Sequence, residues 1–356
     1  MDIEKFLEKK AVLIDKTIEK YIPRNLSKDA VIFRIDPPRY AHNIETLNKA
    51  IAEPIWDFLD RGGKRWRPSL FLLICEVLGK KSEEYLDFAI IPEVIHNGTL
   101  MVDDIEDSSE SRRGMPCTYR IYGLDIAVNA GNAMYYLPLL PLVEHKAKIP
   151  AQKLARVYEM YVEEMINLSL GQAMDIAWHK GLANADTITE QDYLQMCAYK
   201  TGTLARMAAR MAAVLSDADD DLVDKFGHFA ENIGVAFQIQ DDVLDLTSIE
   251  FTQKKGGRGQ DITEGKRSLM VIHTLRTAST RDSKRLIEIL NMHSSDSKLR
   301  DDAFHLMQKY GSIEYAKCKA RKMVKQGWSE VEKLLSPSDA KEMLKAFADF
   351  LIGRNI

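Results

Sequence analysis

The residues with the clearest chemical potential in this chain are aspartates. Asp103, Asp104 and Asp107 are spaced D-D-x-x-D within HNGTLMVDDIEDSSESRRG, and Asp241, Asp242 and Asp245 repeat the spacing within GVAFQIQDDVLDL. On a helix, the first and last carboxylates of each set lie one turn apart on one face, with the middle one beside them. Like charges so placed repel, so something must offset them, and a divalent cation is the obvious candidate. One such set on a polar helix reads as a solvated face. Two sets, the second flanked by Phe237, Ile239, Val243 and Leu244, point instead to carboxylates lining a cavity. Magnesium takes few carboxylates, keeps waters and completes its shell with phosphate oxygens, which suits several Mg²⁺ ions gripping one diphosphate. A calcium loop fits less well, because the EF-hand spacing and its central glycine are missing.

Cations accompany the acids. Gly62-Gly63-Lys64-Arg65-Trp66-Arg67-Pro68 sets basic residues on a first helical turn, where backbone N–H groups and side chains together favour an anion. Arg112-Arg113-Gly114 follows the first acidic set, Lys200-Thr201-Gly202 follows an apolar stretch, and Lys254, Lys255, Arg258, Lys266 and Arg267 follow the second set. Each cluster alone reads as a solvated surface. Their coupling to the aspartates favours phosphate recognition, with Arg offering paired donors and Lys a mobile point charge.

The elements that must position these groups are helical. Apolar residues recur at helical spacing over 151–174 and 315–335, and long alternating runs rich in Val, Ile and Thr are missing, so the chain is expected to be all-α. Residues 1–44 are read as an N-terminal extension of one helix and a linker, with 31–40 extended because of its paired prolines; residues 45–356 form a single domain. Pro92 is expected to start or kink the first acidic helix. At 46% hydrophobic and 29% charged, with a net charge of −4, the composition is that of an ordinary globular protein and gives no global reason to expect nucleic acid. The four cysteines form no C-x-x-C pair, which indicates neither zinc nor a disulfide framework and fits a cytoplasmic setting. The N-terminus shows no apolar signal core, and the apolar stretches 70–78 and 133–143 are too short to span a bilayer.

In the order GGKRWRP, IHN, DDIED, RRG, GQAMD, KTG, FQIQDDVLD and EGK, these motifs resemble the trans-isoprenyl diphosphate synthases, the family of farnesyl and geranylgeranyl diphosphate synthases. The resemblance runs from about Ile44 to the C-terminus. It implies a helical bundle around a deep central cavity, the isoprenoid synthase fold, with the acidic helices facing each other at the mouth. By the same resemblance Asp103, Asp104, Asp107 and Asp241 bind Mg²⁺, about three ions per active site, and Asp242 and Asp245 support that cluster. Arg112, Lys200, Lys266 and Lys255 would contact an allylic diphosphate. Lys64, Arg67, His96 and Arg113 would hold isopentenyl diphosphate without metal, and Thr201, Gln172 and Gln238 would lie near the reacting carbons. A homodimer is implied, and apolar products make transient membrane contact plausible.

Bulky aromatic residues before the first acidic set stop growth at farnesyl length in that family. Here Gly98 and Thr99 occupy those places, with Ile95 and Pro92 a turn or more below, so a geranylgeranyl or longer product is expected. The competing reading is that small residues merely let helices pack closely. A class I terpene synthase would have no use for Lys64, Arg67, His96 and Arg113, and a regulatory subunit would have lost motif residues that this chain keeps.

Overall fold

Helix α1 (Ile3–Tyr21) begins where the Asp2 carboxylate accepts the backbone N–H of Lys5 at 3.2 Å, a standard N-cap. Its apolar stripe is buried, and Ile14, Ile18 and Tyr21 join Ile55, Phe58, Leu59, Ile90 and Val94 in one core cluster. Side chains of that size each stabilise by about 1.5–3 kcal/mol when fully buried, so α1 is a working part of the core. The computed structural model describes residues 2–248 and 259–353. The chain divides into two compact units, one of Met1–Tyr161, Met207–Asp224 and Leu335–Ala346, the other of Val162–Arg206, Lys225–Leu334 and Phe347–Ile356.

The first unit continues with α2 (Val31–Ile35), α3 (Ile44–Leu47), a π-helical turn Asn48–Ala52, α4 (Glu53–Leu59), α5 (Trp66–Val77) and α6 (Leu86–Glu106). α2 corrects the extended reading of 31–40. Pro37 and Pro38 lie beyond it and restrict Asp36 and Pro37, not Val31–Ile35, so they stop the helix and do not prevent it. Pro92 sits well inside α6, six residues after the start, where it costs one helical N–H. A two-residue pair follows, β1 (Ser111–Arg112) against β2 (Met115–Pro116), antiparallel with Arg112 opposite Met115. These are the only strands among the described residues. Then come α7 (Thr118–Tyr122), α8 (Leu124–Tyr136) and α9 (Leu140–Glu144). α8, a 3-10 turn and α9 form a 21-residue run, Leu124–Glu144, which contains the apolar stretch 133–143 and is long and apolar enough by length and composition to cross a membrane.

The long helix α10 (Ala151–His179) contributes to both units, as do α12 (Thr203–Leu215) and α13 (Asp220–Thr247). Between them α11 (Glu190–Cys197) opens with a full capping box, Thr189 and Asp192 satisfying each other's backbone N–H, and runs into a π-helical turn, Ala198–Gly202. Five further helices, Gln260–Thr263, Leu269–Thr277, Thr280–Asn291, Ser297–Lys309 and Ser312–Val331, belong to the second unit, and Asp339–Gly353 closes the chain. The chain is all-α, as its periodicity predicts.

Candidate active site

In the first unit the acidic set sits at the end of α6. Asp107 caps the helix, its N–H on the Asp103 carbonyl at 2.9 Å. Ser108 turns left-handed at φ 54°, and the Ser108 and Ser109 N–H groups return to the carbonyls of Ile105 and Asp104, a Schellman ending. The last turn of a helix already carries partial negative charge, so three carboxylates there raise the demand for a cation. The β1–β2 hairpin supplies one. It turns through Arg113 at φ 56° and Gly114 at φ 77°, both left-handed as a type I′ turn requires. That brings Arg112 Nη2 to 2.5 Å from Asp104 Oδ1 and 3.7 Å from Asp103 Oδ2. Asp104 is only 1% exposed; burial pushes its carboxyl up from the usual range, and Arg112 opposes that.

A second, basic pocket adjoins this turn. Arg113 donates to the Gly62 carbonyl and, at 3.3 Å, to Asn97 Oδ1, while covering the Phe58 ring. A Cβ on Gly63 would stand 3.0 Å from Arg65 Nη1 and 3.3 Å from Arg113 Nη2, so glycine is what lets the backbone lie between two guanidiniums. Arg67 is buried over the Trp66 ring, and Lys64 is exposed. Burial, then the charges of Arg67, Arg113, Arg112 and Arg65, hold the His96 imidazole well below its usual value, so it is neutral at pH 7. Burial also pulls Arg113 down to about 10, with Glu93 opposing and Arg65, Arg112 and Arg61 adding to the fall. A pocket that strains to keep its cations charged favours an anion.

In the second unit, glycines bring three backbones together. A Cβ on Gly171 of α10 would lie 2.3 Å from the Lys200 nitrogen, and one on Gly234 of α13 would lie 2.7 Å from the Gly202 Cα. The π-helical turn is thus seated directly on both helices. Lys200 Nζ meets Asp175 Oδ2 of α10 at 2.5 Å. Thr201 Oγ1 donates to Gln238 Oε1 at 2.9 Å, Gln238 Nε2 donates to Asp242 Oδ1 at 2.8 Å, and Tyr193 Oη donates to Asp242 Oδ2 at 2.7 Å. Asp242 is 8% exposed, and burial together with Asp261 pushes its carboxyl up to about 7. Asp242, Asp261 and Lys266 share a small pocket with Leu246, Met270 and Met307, and Lys266 Nζ lies 2.5 Å from Glu264 Oε2. Asp241 and Gln172 are half-buried. Asp245 is fully buried and accepts the N–H of Asp261 at 3.2 Å, anchoring the short helix Gln260–Thr263. Among the described residues no three His, Cys, Asp or Glu side chains converge to hold an ion alone.

A family model described as polyprenyl synthetase matches residues 48–307. The chain belongs to the polyprenyl synthetase family. A short chain isoprenyl diphosphate synthase from Methanothermobacter thermautotrophicus is 33% identical over 293 residues, 82% of this chain and 87% of that protein. A geranylfarnesyl diphosphate synthase from Natronomonas pharaonis is 32% identical over 314 residues, 83% and 88% of the two chains. Among solved structures, a geranylgeranyl pyrophosphate synthetase from Pyrococcus horikoshii superposes with a TM-score of 0.85 at 30% identity, over 99% of both chains. This polyprenyl synthetase therefore has the isoprenoid synthase fold and is a trans-prenyltransferase.

The structure brings Arg67 and Arg113 close enough to His96 for their charges to act on it, and joins Thr201, Gln238 and Asp242 in one hydrogen-bonded line. At Gly98 the structure shows the close helix packing that the sequence also allowed. A Cβ there would lie 2.7 Å from the Gly131 carbonyl oxygen and 2.8 Å from Met134 Cβ, so α8 already fills that space and Gly98 serves close helix packing. Thr99 is half-buried and donates to the His96 carbonyl, and Ile95 is fully buried. Lys255, with Lys254 and Arg258, lies outside the described residues. Asp175, Tyr193 and Glu93 have no role among the sequence-based expectations. The D of GQAMD was the available signal for Asp175, whereas Tyr193 stands outside every motif.

Proposed function

We propose that this synthase joins an allylic prenyl diphosphate to isopentenyl diphosphate, head to tail with trans geometry, yielding geranylgeranyl diphosphate or a longer homologue. One observation carries the reading: the chain holds two different kinds of anion chemistry. The carboxylate sets with Arg112, Lys200 and Lys266 suit a diphosphate that arrives with metal, and the pocket of Lys64, Arg67, His96 and Arg113 suits one bound without it. Two diphosphates distinguish chain elongation from the ionisation of one substrate.

Asp103, Asp104, Asp107 and Asp241 would hold Mg²⁺ with Asp242 supporting them, and the metal when bound would neutralise the departing diphosphate. Asp245, already engaged by a backbone N–H, supports them. Arg112, Lys200, Lys266 and, outside the described residues, Lys255 hold the allylic diphosphate as its C–O bond ionises. Because the Thr201 hydroxyl donates its hydrogen to Gln238, its lone pairs are left to stabilise the allylic cation. The basic pocket orients isopentenyl diphosphate so that its double bond forms the new C–C bond. The proton then lost from the adduct passes to the released diphosphate, and a longer allylic diphosphate results. Relatives named for geranylgeranyl and geranylfarnesyl products support a product of that length range. A cytoplasmic homodimer that touches membranes only to release product belongs to the same reading.

The test incubates purified protein with Mg²⁺, isopentenyl diphosphate and dimethylallyl, geranyl or farnesyl diphosphate, then measures product length. Geranylgeranyl or longer chains are expected, and chelation of the metal should abolish them. No elongation from any primer would overturn the proposal.

A further inference from the structure

The family model begins at residue 48, yet helix α1, which precedes it, reaches the basic pocket. Asp15 of α1 accepts Arg65 Nε at 2.8 Å. Arg65 is 3% exposed and left-handed at φ 47°, and it is the hub of the Gly62–Arg65 loop. Its Nη2 donates to the Leu59 carbonyl at the end of α4 at 3.0 Å, and its Nη1 donates to Glu93 Oε1 of α6 at 3.2 Å. Glu93, also 3% exposed, accepts Asn97 Nδ2 at 3.2 Å; Asn97 Oδ1 accepts Arg113; and Arg113 returns to the Gly62 carbonyl. The ring is closed. It carries two carboxylates, Asp15 and Glu93, against the guanidiniums of Arg65 and Arg113.

We infer that Asp15 and Glu93 are positioning residues for the metal-free diphosphate, with the N-terminal helix completing the pocket by fixing Arg65 and, through it, the loop and Arg113. The physical case is geometric. A left-handed arginine beside two glycines at φ 88° and 145° has no local reason to hold one conformation, and the bonds to α1, α4 and α6 supply it. Arg65 is itself enclosed by these bonds, so it organises the cations that face the ligand. Asp15 is 45% exposed at its side chain, so replacing it leaves the core of α1 intact.

The inference rests on the proposed isopentenyl diphosphate pocket, and the experiment separates the two. Steady-state kinetics with labelled isopentenyl diphosphate would compare Asp15→Asn, Asp15→Glu, Arg67→Ala and, as a control on the same helix, the exposed Glu8→Gln. Asp15→Asn should raise KM for isopentenyl diphosphate about five-fold, with kcat, allylic KM and magnesium dependence unchanged. Asp15→Glu should restore much of that loss, and Glu8→Gln should change nothing. If Arg67→Ala raises the same KM but Asp15→Asn does not, the positioning role is wrong and the pocket stands. If neither raises it, the pocket assignment fails and the inference falls with it. A parallel rise in both KM values, with a lowered Tm, would mean that Asp15 only props the fold.

Discussion

Asp104 and Asp242 hold the second position of two motifs with identical spacing, both near the C-terminal ends of their helices, and the chain treats them oppositely. Asp104 is buried against a guanidinium, with Arg112 Nη2 at 2.5 Å. Asp242 accepts its hydrogen bonds from neutral donors, the Tyr193 phenol and the Gln238 amide, and the charges of Asp261 and Lys266 act on it without a direct bond. A hydrogen bond from a neutral group orients a carboxylate without cancelling its charge, so the second motif keeps an unmet demand that the first has partly answered. Equal spacing therefore does not mean equal chemistry. One carboxylate is prepared for a ligand that brings its own positive charge, and the other is steadied by charge already present.

That contrast can be broken at several points. Arg112→Ala removes the only cation bonded directly to Asp104 in the described structure, together with the diphosphate contact proposed for it; turnover should fall about 10³-fold in a steady-state assay. Gly98→Ala should disturb only the helix of the first motif. The new methyl meets the Gly131 carbonyl at 2.7 Å, and thermal or denaturant unfolding should show about 1–3 kcal/mol of lost stability without a coherent shift in product length. Tyr193→Phe takes one neutral donor from Asp242 and leaves its charge; about ten-fold in turnover is expected, with a higher magnesium requirement.

The smallest effect is on pH dependence. Asp242 titrates near 7 in the folded chain against an ordinary value of 3.8, because burial and Asp261 disfavour its charged form. Between those values the folded state binds the extra proton, so the stability of metal-free protein should fall as pH rises through that window. Calorimetric Tm values at pH 5 and pH 8 should differ in that sense, and Asp242→Asn should flatten the difference.

The parts legible in the sequence were those encoded by short-range spacing: the acidic sets, the cation clusters and the helical periodicity of α10. Local pattern could not show what fills the space around a residue. Gly98 is small in the sequence whether it faces a channel or the backbone of α8, and only the packing against Gly131 decides. Arg65 looked like one more cation in GGKRWRP, and its burial against Asp15 and Glu93 depends on residues 50 and 28 positions away. Tyr193 is separated from Asp242 by 49 positions and carries no motif. The paired prolines misled in the other direction, because their restriction acts on the residue before them and leaves Val31–Ile35 free to coil.

The π-helical turn Ala198–Gly202 has one more consequence. Such a turn amounts to one residue inserted into a regular helix. Deleting Ala198 or Tyr199 would restore ordinary winding at about 100° per residue and change the angle at which Lys200 and Thr201 leave the helix axis. Lys200 and Thr201 would no longer both meet their partners, Asp175 on one helix and Gln238 on another. The alignment of cation holder and hydroxyl is thus stored as a phase offset in the chain, and a shift of one position would erase it while every motif letter stayed in place.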